Sequence, residues 1–249
     1  MSQATPTLPQ RRSLKMQALA GWAAFTLIGP GAVMYMRGLR GNRIEGIESA
    51  RRVYREAIAS GRPTLVCPNH LTMFDSIFLH HAFASVADYL RDFRRFSWNV
   101  PAIENFKKNP FLRAITYLGK TVPIDRHGDA RHHKKVLDTI KYLVSSGEVC
   151  TIFPEGGRSR TGRIDPSKVT SGVGHVLKDL DRPQVLCTYL RGEKQKTWSF
   201  LPARGDTLHL YVELLEPVTA ERGARASRDL SRQVIDKLKQ MEDAHFARV

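Results

Sequence analysis

Apolar and polar positions follow two rhythms along this chain, and the switches between them mark its elements. A charge-free run, MQALAGWAAFTLIGPGAVMYM, fills residues 16–36, with Lys15 before it and Arg37 and Arg40 after it. That length suits a membrane-embedded helix, and Trp22 and Tyr35 suit an interfacial depth. Gly29-Pro30-Gly31 lies inside the run, where Pro removes a backbone donor and Gly loosens the helix. The expectation is a broken segment that dips into the bilayer and returns. Polar, Pro-containing residues 1–13 read as a disordered leader. No small-residue cleavage pattern follows the run, which argues against a secretory signal.

Beyond residue 40 the rhythm alternates. Helical spacing predicts helices over 46–60, 74–90, 109–118, 129–146, 170–180 and 219–246, with Gly61 and Gly147 as stops. Short apolar, β-rich runs predict strands at 64–67, 93–98, 121–124, 149–153, 185–190 and 208–215. Such alternation, without an internal repeat, implies an α/β domain: a mixed, largely parallel sheet flanked by helices. The organisation expected is a leader (1–13), a membrane-anchoring helical segment (14–40) and one domain (41–249). Ligand-bearing loops belong at the strand ends.

Charge adds a sign of partner. Among 249 residues, 39 Lys and Arg face 24 Asp and Glu, a net charge of +15. Such a surface attracts polyanions: nucleic acid, anionic head groups, phosphate-bearing substrates or an acidic carrier protein. The basic residues are dispersed, no nucleic-acid-binding motif appears, and an apolar anchor has no use in that role, so nucleic acid is not expected as a partner. Cys67, Cys150 and Cys187 each sit in an apolar run and read as buried thiols in a reducing compartment, not as a disulfide framework or a zinc site. The pairs His80-His81 and His132-His133 lack the i, i+4 spacing of metal ligands and read as surface residues; no metal or other cofactor is expected.

Three loops carry the chemistry. Asn69-His70-Leu71-Thr72-Met73-Phe74-Asp75 follows the apolar run LVCP, so His70 lies where a strand gives way to a helix. Asp75, in the first helical turn, can reach one imidazole nitrogen, fix the tautomer and leave the other nitrogen free as a base. The same spacing also fits a helix-capping Asp near a hydrogen-bonded His. Phe153-Pro154-Glu155-Gly156-Gly157-Arg158-Ser159-Arg160-Thr161-Gly162 is a glycine-rich turn after a buried strand, a cradle for an anion. Between them, Gly119-Lys120-Thr121-Val122-Pro123-Ile124-Asp125-Arg126 ends a strand in charge, and Lys120 and Arg126 can both face a phosphate. A surface ion pair between Asp125 and Arg126 is the other reading.

In this order and spacing the three segments resemble the glycerolipid acyltransferases, which include glycerol-3-phosphate and 1-acylglycerol-3-phosphate acyltransferases. NHLTMFD is similar to the family's first block, with Thr72 at its Ser position; GKTVPIDR resembles the second, and FPEGGRSRTG the third, with Gly157 in place of Thr. The fourth block's proline is missing from VLCTYL. The resemblance covers roughly residues 40–215 and implies an O-acyltransferase of phospholipid biosynthesis. It implies His70 and Asp75 as catalytic residues, and Asn69, Thr72, Lys120, Arg126, Glu155, Gly156, Gly157, Arg158 and Ser159 as substrate-binding residues.

His70 would deprotonate the hydroxyl of a lysophospholipid acceptor such as 1-acylglycerol-3-phosphate, and the alkoxide would attack an acyl thioester of coenzyme A or acyl carrier protein, used as co-substrate. Cys67 would be dispensable. Glycerol-3-phosphate, a lyso-ornithine lipid or a specialised acyl chain are alternatives within the class. A basic membrane- or nucleic-acid-binding protein without activity is the alternative outside it, and a serine hydrolase lacks its G-x-S-x-G elbow. The membrane lipid itself would be a partner, at the cytoplasmic face of a bacterial inner membrane. Arg91, Arg94, Arg95, Lys107, Lys108, Arg131, Lys134 and Lys135 would meet head groups or the carrier.

Overall fold

A computed structural model describes residues 6–248. Its centre is the strand β2 (Thr64–Pro68), buried at all five positions. Consecutive side chains of a strand point to opposite faces, so Leu65 and Cys67 enter one apolar cluster and Val66 the other. A strand that is apolar at every position is what burial on both faces demands. Around it run β1 (Arg43–Glu45), β3 (Trp98–Asn99), β4 (Cys150–Thr151), β5 (Gln184–Gly192) and β6 (Thr207–Leu215), in the order β1-β6-β5-β2-β4-β3. Every pairing is parallel except β5 with β6.

Among the described residues, eight α-helices cover the sheet and its ends: α1 (Leu8–Val33), α2 (Ile47–Ala59), α3 (Asp75–Phe83), α4 (Val86–Arg91), α5 (Pro110–Leu118), α6 (Ala130–Ser145), α7 (Gly172–Leu177) and α8 (Gly223–Phe246). Val136 and Ile140 of α6, Val173 and Val176 of α7 and Val234 and Leu238 of α8 pack on the Leu65–Cys67 face. Tyr54 of α2 and Phe78 and Leu79 of α3 pack on the Val66 face. This is the mixed, mostly parallel α/β sheet flanked by helices that the alternation implied.

Several boundaries differ, each for a local reason. The helix α1 starts at Leu8, with Pro in its first turn where a missing N–H is harmless, so residues 8–13 are helix and not leader. Residues 1–5 of the expected leader lie outside the described residues. Pro30 does not break the run. The helix continues to Val33 and widens into a π-helical turn, Met34–Leu39, whose bonds reach five residues back, as from Arg40 N–H to Tyr35 O at 2.9 Å. Gly29 leaves room for the Phe25 ring, which a Cβ there would meet at 2.8 Å. The whole stretch Leu8–Leu39 forms one helix long and apolar enough to cross a bilayer.

The helix expected over 74–90 is two, because Ser85 and Asp88 form a capping box that restarts it. The strand expected at 93–98 shrinks to Trp98–Asn99. Asp92 accepts the Arg94 N–H and sets a 3₁₀ turn, and Phe93 and Phe96 stack on each other instead of alternating. Pro123 lacks a donor, and 121–124 makes only single bridges, Thr121 to Asn99 and Ile124 to Ala102. Strand β1, with Ile44 as its one apolar residue, went unforeseen.

Candidate active site

Strand β2 ends in a side chain that imitates backbone. The Asn69 amide donates to Leu190 O at 3.0 Å and accepts from Leu190 N–H at 2.8 Å, extending the β2–β5 ladder by one residue. The chain then turns away, and His70 leaves the sheet edge. Its Nδ1 lies 3.0 Å from Asp75 Oδ2, at the first residue of α3. The same oxygen accepts the N–H groups of Leu71 and Thr72 at 2.7 and 2.8 Å, and Oδ1 accepts the Thr72 hydroxyl at 2.6 Å.

Four donors therefore fix one buried carboxylate, and through it the imidazole. A carboxylate at Nδ1 keeps the proton there and leaves the Nε2 lone pair free. Nε2 has no hydrogen-bond partner among the described residues, and the ring packs on Phe153 with centroids 4.0 Å apart. Such a nitrogen can take a proton from an approaching hydroxyl.

The glycine-rich loop closes on the same point. Glu155 Oε1 accepts the His70 N–H at 2.9 Å, and the Ser159 N–H donates to His70 O at 2.9 Å. Gly156 has φ +67°, and a Cβ there would lie 2.6 Å from a methyl of Thr170, so glycine is required twice over. The Arg126 Nη2 comes to 4.0 Å of where a Gly157 Cβ would be, and the Arg158 guanidinium lies 4.9 Å over the Trp198 ring. Neither guanidinium has an ion-pair partner among the described residues. Two uncompensated cations beside a glycine-rich turn make a site for an anion.

The other candidates fall elsewhere. Lys120 does not face a phosphate. It is fully buried, with Nζ donating to Glu148 at 2.7 Å and to Phe93 O at 2.9 Å, between the rings of Phe93 and Trp98. Burial lowers its pKa despite Glu148, and the lysine acts as a strut of the fold. Asn69, Thr72 and Ser159 spend their side chains on Leu190, Asp75 and Arg163, so they support the loops.

The histidine pairs are half-buried, and three of the four make contacts that serve the fold. His80 stacks on Phe96 at 3.9 Å, and burial lowers its pKa to about 3. His132 accepts the Asp125 N–H at 2.9 Å and His133 lies 2.8 Å from Asp125 O, so together they hold the turn that carries Arg126. Asp125 does not form the alternative ion pair with Arg126; it caps His127 instead. All three cysteines are free and buried, and burial raises the Cys67 thiol well above its usual range.

One anchor was missed. The far end of the glycine-rich loop is held by α8: fully buried Glu242 accepts the Ile164 N–H at 3.1 Å and pairs with Arg163 at 3.3 Å. Arg191 of β5 binds Gly162 O. A Glu on the apolar face of α8, between Leu238, Met241 and His245, was the available signal.

A model of the acyltransferase family matches residues 44–190, more than half of the chain. The chain belongs to the acyltransferase family. Among curated proteins none matches it. The matched segment holds His70, Asp75, Arg126 and Glu155, and stops inside β5, before α8.

Within this acyltransferase, the carboxyl of Glu155 beside His70 titrates well away from its usual range. Burial pushes its carboxyl from 4.5 up to about 7, and Glu242 and Asp75 add repulsion. The folded state thus holds this proton more tightly than the unfolded chain, so its contribution to stability is present at low pH and is lost as pH rises from 4.5 to about 7. Glu155→Gln, which keeps the acceptor for His70, should match the parent near pH ~5 and exceed it near pH ~8 by up to about 3 kcal/mol. Thermal unfolding at both pH values checks this. An equal gap at both would refute it.

Proposed function

We propose that this acyltransferase moves a fatty acyl group from a thioester of coenzyme A or acyl carrier protein to the hydroxyl of 1-acylglycerol-3-phosphate or a similar phosphate-bearing lysolipid. The observation that carries the reading is the imidazole with its free Nε2, held by Asp75, next to a turn lined by two unpaired arginines. His70 Nε2 takes the hydroxyl proton as the oxygen attacks the thioester carbon. The tetrahedral intermediate collapses, the C–S bond breaks, and the imidazolium returns the proton to the thiolate. Asp75 holds the ring and balances its transient charge.

Arg126 and Arg158 grip the phosphate, which presents the hydroxyl to His70; fixing two reactants this way supplies several kcal/mol. Glu155 accepts a hydrogen bond from the glycerol. Cys67 has no part, since a buried thiol with a raised pKa offers no thiolate. The acceptor is a lipid, and the apolar α1 gives the enzyme a reason to sit on its membrane, at the face that meets the cytoplasmic thioesters.

The test offers 1-acylglycerol-3-phosphate, glycerol-3-phosphate, a lyso-ornithine lipid and a phosphate-free monoacylglycerol, each with both donors. Phosphate-bearing lysolipid should exceed monoacylglycerol by about 100-fold in kcat/KM, and Arg126→Ala should erase most of that ratio through KM. Equal turnover of monoacylglycerol by the parent enzyme would end the phosphate-grip reading.

A further inference from the structure

Helix α5 has no buried residue. Helical spacing puts Phe111, Leu112, Ile115 and Leu118 on one side, and Arg113, Thr116 and Tyr117 on the other. Phe111 is 69% exposed, Leu112 40% and Ile115 38%. An amphipathic helix normally buries its apolar side on the core, yet this one docks through its backbone and C-terminal end. Gln17 of α1 donates to Tyr117 O at 3.0 Å and to Thr121 O at 3.1 Å. A Cβ on Gly21 would sit 2.5 Å from Leu118 O, so the two helices touch where α1 has no side chain.

Helix α1 presents its own exposed apolar stripe: Met16, Leu19, Leu27 and Met34. Where α1 and α5 meet α3 and α4 lies an apolar cavity of about 140 Å³, reached by Phe25 and Ile28 from α1, by Ile115 and Leu118 from α5 and by Ile77 and Tyr89 from α3 and α4. Ile28 of α1 and Ile115 of α5, each 38% exposed, both line this cavity, so exposed apolar side chains of the two helices meet at its mouth. Lys107 and Lys108 stand just before α5 and Arg113 lies on its polar side; none has an ion-pair partner among the described residues. A protein partner would have to supply both an apolar groove and matching acids. An anionic bilayer supplies acyl chains and phosphates at the right depths together.

We propose that α5 is a second lipid-inserting element: Phe111, Leu112 and Ile115 enter the acyl boundary of an anionic membrane, and Lys107 and Lys108 meet its phosphates. The docking deepens the lipid-acceptor reading of the site and rests on it for its purpose. The native thiols are buried, so a cysteine introduced at Phe111→Cys, or at Arg113→Cys on the opposite side, can be labelled selectively with an environment-sensitive fluorophore in the full-length protein. Adding phosphatidylcholine–phosphatidylglycerol vesicles should blue-shift the label at 111, and brominated lipid should quench it, while the label at 113 stays water-like. Lys107→Gln with Lys108→Gln should weaken partitioning to these vesicles by about tenfold and leave partitioning to pure phosphatidylcholine unchanged.

Identical responses at 111 and 113, or a shift at 111 that appears on raising protein concentration without lipid, would overturn the proposal; the latter would indicate self-association. Turnover measured in detergent micelles keeps the two readings apart. Insertion without acyl transfer to any acceptor would sink the catalytic assignment alone, and acyl transfer without insertion would sink this one.

Discussion

Replacing His70 by Ala is expected to lower acyl transfer by about 1,000-fold, with little change in thermal stability. A positioned general base contributes about 10²- to 10⁴-fold, and no other group among the described residues stands at Nε2 to replace it. The ring is partly exposed, and its removal costs Asp75 only one of four donors, so the loop keeps its shape. Initial rates with a labelled thioester, beside an unfolding curve, separate the two effects. A variant that keeps more than about a tenth of the parent rate would remove His70 from the chemistry.

Asp75→Ala should do what His70→Ala does not: damage the fold as well as the reaction. It strands the Leu71 and Thr72 N–H groups and the Thr72 hydroxyl, all in a buried loop. An orphaned buried donor costs about 1–3 kcal/mol, so about 3 kcal/mol of stability should go, with a rate loss at least that of His70→Ala. Asp75→Asn supplies the control. It keeps one oxygen acceptor but turns an amide N–H₂ towards one set of donors, so the rate should fall far more than the stability. Denaturant unfolding and single-turnover rates read both quantities. An Asp75→Ala protein as stable as its parent would mean that the carboxylate does not organise the loop.

What was legible in the sequence was local. His70 and Asp75 are five residues apart, and a strand running into a helix brings them together within one short loop. The alternation of Leu65, Val66 and Cys67 between two apolar clusters likewise follows from the period of a strand. Lys120 shows where such reading stops. Its charge was visible, but its burial depends on Glu148, 28 residues on, which nothing in GKTVPIDR announces. Residues 93–98 failed because one capping side chain, Asp92, outweighed an aromatic-rich run. Pro30 failed in the opposite sense, since a helix already docked by Gln17 and Gly21 tolerates one missing donor. The clamp of His132 and His133 on Asp125 joins a helix start to a turn and cannot be seen without the fold.

Glu242 enlarges the stretch of chain that holds the candidate site together. The match to the family ends at residue 190, yet the turn bearing Glu155 and Arg158 is moored at its far end by a helix that starts more than thirty residues later. A chimera built by grafting 44–190 onto another member's tail would inherit the glycine-rich turn and lose the side chain that holds its far end. Crossovers are better placed so that α8 travels with the loop it restrains.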